Sequence, residues 1–177
     1  MASRRLTGVL LVGGASRRFG SPKALARYNG STLAERAWGI LGAACDERLA
    51  FAKLADELNL PLPVRDDGID VRAPIAGVVA ALRVAATDVC VFLPVDAPLV
   101  TPGVVVQLGE ACREAAVPPT GPLPGAYSKA ALPVLERRLA AGELSLRDAL
   151  CELYTAVVRL DPRLLANVNQ PEELAAL

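Results

Sequence analysis

The chain contains no histidine. That absence excludes a histidine-based catalytic triad, imidazole metal ligands and the commonest general base. Any chemistry must rest on carboxylates, cations, a metal ion or backbone amides. Aromatic residues make up only 4% of the 177 residues against 53% hydrophobic, so the core is expected to be aliphatic, built from Ala, Val and Leu. Charge of either sign is missing in net terms: 19 basic and 19 acidic residues cancel. No nucleic-acid partner and no anionic membrane is therefore expected, and any anion site must be local. No apolar run reaches the roughly 18 residues of a membrane span. The apolar run after the basic start Met1–Arg5 breaks at Gly13, which argues against a secretory signal. Cys45, Cys90, Cys112 and Cys151 form no C-x-x-C pair. They read as small core residues in a reducing cytoplasm rather than as a zinc or disulfide framework. Internal repeats and low-complexity segments are also lacking, and the length suits one domain spanning residues 1–177.

What is present is concentrated near the N-terminus. The run Val9–Val12 stops at Gly13-Gly14, followed by Arg17, Arg18 and Lys23. The run reads as a buried parallel strand, about Gly8 to Val12. Glycines without Cβ let the backbone turn sharply and a ligand approach closely, and successive N–H groups there form an anion-binding concavity. An ordinary βα turn with solvated arginines uses the same glycines; the three cations favour a phosphate site.

Downstream, apolar runs alternate with helical patterns, which predicts βαβ units and a mainly parallel sheet. Thr32-Leu33-Ala34-Glu35 is a capping-box pattern that opens a helix to about Leu41. Strands are expected at Arg48–Ala52 and Pro61–Arg65. Pro74 opens a helix to about Ala86, and Val89–Leu93 is the clearest buried strand. Thr101-Pro102 opens a helix predicted to run to about Ala116. Pro118–Pro124 reads as a loop and Leu123–Tyr127 as a short edge strand. Helices over Lys129–Ala141 (stopped by Gly142) and Ser145–Leu153, a strand over Tyr154–Leu160 and a terminal helix from Pro171 complete the reading.

In open α/β sheets, ligands bind outside the carboxyl ends of the strands. Three unusual features fall there. Asp96, between Pro94 and Pro98, follows the Val89–Leu93 strand and suits either a Mg²⁺ ligand or the start of a loop. Asp66 and Asp67 precede Gly68 after a short strand, and at most one of them faces a given ligand. Lys23 follows the glycine loop, where a compact ammonium acts as a point charge on phosphate. Asn167 and Asn169 share a face if extended. They either donate to a ligand or cap the following helix.

Four motifs in order carry a family resemblance. The segment Leu11-Val12-Gly13-Gly14-x-Ser16-Arg17-Arg18-x-Gly20-x-x-Lys23 resembles the N-terminal signature of the molybdenum cofactor guanylyltransferases. Pro74-Ile75-Ala76-Gly77 is similar to the family's G-P-L-A-G element. Pro94-Val95-Asp96-Ala97-Pro98 resembles its P-x-D-x-P motif, and Asn167-Val168-Asn169-Gln170-Pro171-Glu172 its N-x-N-T-P-E ending. The resemblance implies a Rossmann-like three-layer α/β/α sandwich and transfer of GMP from GTP to molybdopterin, with pyrophosphate released. It implies that Leu11, Val12, Gly13, Gly14, Arg17, Arg18, Lys23, Asp67 and Asp96 bind GTP. Lys23 and Asp96 would act in catalysis, Asp96 would hold Mg²⁺, and Asn167 and Asn169 would lie on the pterin side. Molybdoenzymes or cofactor-delivery proteins are the partners it implies. The chain differs from the pattern at Val12, Phe19, Ser21-Pro22, Ala73 and near Lys53, where the family often has an asparagine for guanine. The alternatives are a related transferase using CTP or a sugar-phosphate acceptor, and a non-catalytic nucleotide-binding protein. A P-loop kinase is disfavoured further by the lack of G-K-[S/T].

Overall fold

A computed structural model of the chain describes residues 4–13 and 22–177. β1 (Leu6–Leu11) is followed by a small hairpin of β2 (Arg27–Tyr28) and β3 (Ser31–Thr32) that leads into α1 (Leu33–Ala44). Then come β4 (Glu47–Ala52), β5 (Val64–Asp66), α2 (Pro74–Val84), β6 (Val89–Pro94), α3 (Pro102–Ala111), β7 (Ala115–Val117) and β8 (Gly125–Ser128). The chain continues through α4 (Leu132–Ala140), α5 (Leu146–Ala149), β9 (Thr155–Val157) and α6 (Pro171–Ala175). Seven strands form one sheet in the order β5-β4-β1-β6-β8-β7-β9. The β5-β4-β1-β6 half is parallel, and β8 runs antiparallel to both its neighbours.

Strand periodicity divides the core in two. Leu6 and Leu10 of β1 and Val89, Val91 and Leu93 of β6 join α1 and α3 on one face. Val9, Cys90 and Phe92 point the other way and pack with α2, α4 and α5. This is the expected three-layer α/β/α arrangement. The core is aliphatic as expected, with the few aromatics placed deep: Phe92 and Tyr127 meet edge to face at 5.7 Å. The Thr32 capping box forms as read, Thr32 Oγ1 accepting from Glu35 N at 3.1 Å while Glu35 Oε2 accepts from Thr32 N at 2.8 Å.

Three expectations change. The helix from Pro102 ends at Ala111, and Ala115-Ala116, read as its last residues, belong to β7 (Ala115–Val117). Alanine favours a helix locally, but burial between β8 and β9 overrides propensity. The segment read as an edge strand is β8, interior to the sheet and buried throughout. Small Gly125 and Ala126 fit there, and the buried Tyr127 hydroxyl donates to Pro122 O at 3.0 Å. The long helix expected over Ser145–Leu153 is one α-helical turn followed by a 3₁₀ turn. Among the described residues, no helix is long and apolar enough to cross a membrane.

Candidate active site

Register decides where the site lies. Leu11, the last residue of β1, is paired with Phe51 of β4 and with Pro94 of β6, and Ala52 is paired with Asp66 of β5. Four strand ends therefore finish level, and the loops after them open onto one edge of the sheet. A cavity of about 410 Å³ sits there, lined by Leu11 and Gly13 after β1, Lys53 and Asp56 after β4, and Asp67 and Arg72 before α2. Asp96 after β6 and Asn167 close the far side. Gly77 of α2 packs against Leu11 at the end of β1 and lines the cavity. A Cβ there would stand 2.7 Å from Leu11 Cδ2, so a larger residue would require the tip of the Leu11 side chain to move.

At the β6 end, three distant stretches converge. Lys23, in a 3₁₀ turn after the glycine loop, places Nζ 3.3 Å from Asp96 Oδ2 and 3.3 Å from Asn169 Oδ1. The lysine and aspartate side chains are only 14% and 26% exposed. The Asp96 carbonyl accepts from Val168 N at 2.8 Å. Because Val168 is buried, Asn167 and Asn169 flank it on the outer side, Asn167 toward the cavity and Asn169 toward Lys23. Neither asparagine caps the last helix. Gln170 stands at the N-cap of α6, and Glu173 Oε2 accepts from Asn169 N at 2.6 Å and Gln170 N at 3.2 Å.

At the β4–β5 end, the adjacent aspartates separate. Asp66 accepts from Gly68 N at 2.7 Å in a turn where Gly68 has φ +67°. Asp67 lines the cavity. Its Oδ1 accepts from Ile69 N at 2.9 Å and from Lys53 Nζ at 2.6 Å, and Lys53 also donates to the Ile69 carbonyl. Lys53 and Asp67 are 16% and 8% exposed, so this is a fixed, nearly buried pair. A second pair lies nearer the mouth, with Arg72 Nη1 2.7 Å from Asp56 Oδ1.

Of the residues read from sequence, Leu11, Gly13, Asp67, Asp96 and Asn167 line the cavity, and Lys23 and Asn169 meet at its edge. Val12 does not line it. Its side chain is in the core and its N–H donates to Phe51 O at 2.9 Å. Gly14, Arg17 and Arg18 lie outside the described residues. Sequence reading missed Asp56 and Arg72. Nothing local marks them, although an acid just beyond the strand next to the glycine turn is a recognisable pattern in βαβ nucleotide sites. Among the described residues, no three acids, cysteines or histidines cluster as a ready-made metal cage.

The chain is similar to known proteins over nearly its whole length. Residues 8–156 match the family described as the MobA-like NTP transferase domain. A probable molybdenum cofactor guanylyltransferase of Deinococcus radiodurans is 39% identical, over 97% of this chain and 93% of the relative. A molybdenum cofactor guanylyltransferase of Pseudomonas putida is 34% identical, over 94% of each chain. The crystal structure of molybdopterin-guanine dinucleotide biosynthesis protein A from Archaeoglobus fulgidus superposes with a TM-score of 0.80 at 25% identity, covering 96% of this chain and 95% of that one. A cytidylyltransferase structure from Thermus thermophilus shares the fold alone, with a TM-score of 0.71 at 19% identity over 95% of each chain. The chain therefore belongs to the MobA-like NTP transferase family and is a nucleotidyltransferase of the molybdenum cofactor guanylyltransferase group.

Proposed function

We propose that this protein, acting as one domain over residues 1–177, transfers GMP from GTP to molybdopterin and releases pyrophosphate. The observation that carries this reading is the convergence of Lys23, Asp96 and Asn169 from three distant motifs beside one strand-end cavity. The names of the full-length relatives supply the substrates. In the reaction, a phosphate-monoester oxygen of the acceptor forms a bond to the α-phosphorus of GTP. The bond from that phosphorus to the oxygen bridging the β-phosphate breaks, and pyrophosphate leaves with the electron pair.

The attacking phosphate is already anionic at neutral pH, so no general base is required, and the lack of histidine is no obstacle. The difficulty is repulsion between anions. Gly13 and Gly14 present backbone N–H groups to the phosphates, and Arg17, Arg18 and Lys23 offset their charge. Leu11 and Val12 hold the start of the loop at the end of β1. Asp67, fixed by Lys53, faces the nucleoside, and Asn167 and Asn169 face the pterin.

Asp96 is the residue that would hold Mg²⁺. Asp96 is the carboxylate at the β6 end of the cavity, and among the described residues no acidic cage surrounds it, which fits a cation that takes its other oxygens from phosphate and water. When bound, the cation supplies charge neutralisation at the transferred phosphoryl group. Lys23, now on Asp96, then has the phosphates as its alternative partner.

The test is pyrophosphate release, expected only with GTP, Mg²⁺ and molybdopterin together. Turnover with CTP in place of GTP, or with a sugar phosphate in place of molybdopterin, would sink the reading. GTP binding without release under any acceptor would make the protein a non-catalytic nucleotide binder. Asp96→Ala should abolish Mg²⁺-dependent turnover in a folded protein.

A further inference from the structure

Asp56 has no place in the reading so far, yet it lines the same cavity. Its backbone N–H donates to Lys53 O at 2.9 Å, which fixes it in the 3₁₀ turn after β4. Oδ1 is engaged by Arg72 at 2.7 Å. Oδ2 is turned toward the end of β1 and stands 3.6 Å from where a Cβ on Gly13 would lie. Its side chain is 20% exposed.

A carboxylate serves anionic phosphates only through a cation, and the proposed function gives that place to Asp96 at the β6 end. Asp56 is an acceptor only, so its partner must be a donor. Position along the sheet selects the donor. Asp67 follows β5, Asp56 follows β4 beside Gly13, and Asp96 follows β6. A nucleoside triphosphate with its phosphates at Asp96 and its base at the Lys53–Asp67 pair lays its sugar between them, at Asp56. In βαβ dinucleotide sites, an acid placed after the glycine turn takes the ribose hydroxyls in the same way.

We propose that Asp56 accepts the ribose hydroxyls of the bound nucleoside triphosphate, and that Arg72 is the positioning residue that aims its carboxylate. This inference rests on the cavity being the GTP site. It makes the protein selective for ribonucleotides through one charge-assisted hydrogen bond. Arg72 also balances the negative charge Asp56 would otherwise hold near a polyanion.

The experiment is equilibrium binding of GTP, 2′-deoxy-GTP and inosine triphosphate to the full chain, with Asp56→Ala, Asp56→Asn and Arg72→Ala compared with the unaltered protein. The unaltered protein should prefer GTP over 2′-deoxy-GTP by roughly tenfold, about 1.4 kcal/mol. Asp56→Ala should erase that preference while leaving the ratio of GTP to inosine triphosphate unchanged. Asp56→Asn, which keeps the shape and removes the charge, should reduce the preference several-fold and stands in if the alanine variant fails to fold. Arg72→Ala should lower the preference by freeing the carboxylate. An unaltered protein that binds both sugars equally, or an Asp56 variant that keeps the full preference, overturns the inference. So does a change confined to the inosine comparison, which would place Asp56 on the base. An unaltered protein that binds no GTP at all overturns the proposed function beneath it.

Discussion

Replacing Lys23 by alanine should separate stability from catalysis. Nζ lies 3.3 Å from Asp96 Oδ2, an attraction of about 5 kcal/mol at an effective dielectric of ~20 before desolvation and lysine entropy are set against it. Both side chains reach the cavity mouth, at 14% and 26% exposure, so the net worth of the pair to folding is about 0–1 kcal/mol. For a chain of this length that is a shift of at most about 4 °C in Tm. In the reaction the same charge faces the transferring phosphoryl group, where loss of one preorganised stabilising group costs on the order of 10²–10³ in rate. A third effect follows from geometry. The ammonium stands against the oxygen that a cation would use, so removing it should strengthen Mg²⁺ binding to the nucleotide-free protein by roughly tenfold. Thermal unfolding, pyrophosphate release and titration with Mn²⁺ by spin resonance measure the three quantities. Turnover within threefold of the unaltered protein would refute the reasoning, as would a fall in turnover fully matched by unfolding. Weaker metal binding in Lys23→Ala would refute the competition for Asp96.

Gly125→Ala should be strongly destabilising, by about 1–3 kcal/mol or more in denaturant titration, because its Cβ would collide with the Pro122 carbonyl and lie 3.1 Å from Val117 Cγ1. Arg137 and Arg138 hydrogen-bond the Glu152 carboxylate and hold its pKa below the usual 4.5. A lowered folded-state pKa contributes stability that is complete above 4.5 and is lost as pH falls through the lower folded value. Glu152→Gln should therefore unfold earlier than the unaltered protein at pH 7, with the gap closing below about pH 4. Burial pushes the thiols of Cys45, Cys90 and Cys112 up to about 12, whereas Cys151 is exposed. At pH 8, an aromatic disulfide reagent should titrate about one thiol rapidly in the native protein and all four after unfolding. A rapid native titre of three or four would contradict the packing of both faces.

The first sheet strands were legible because their signal is local. An apolar run ending in two glycines, and another ending in Pro94-Val95-Asp96, announce buried parallel strands and the loops that follow them. The Thr32 cap and Pro74 at the first turn of α2 likewise depend on neighbours a few residues away. The second half was less legible. Ala115-Ala116 reads as helix because alanine's preference is local, while the burial that makes it a strand comes from β8 and β9. Gly125–Ser128 carries too little hydrophobic pattern to reveal that it sits inside the sheet.

The candidate site divides along the same line. Sequence alone determined which residue types were available: a glycine turn, a lysine, strand-end aspartates and a late asparagine pair, with no histidine to act as a base. Tertiary structure decided their partners. Level strand ends bring Gly13, Asp67 and Asp96 to one cavity, although 83 residues separate the first from the last. The backbone of Val168 on Asp96 carries Asn167 to the cavity and Asn169 to Lys23. Only the fold tells Asp67 from Asp66, and only the fold sets Asp56 against Gly13. Orientation and long-range pairing are set by packing two faces of one sheet, and no short stretch of chain contains that information.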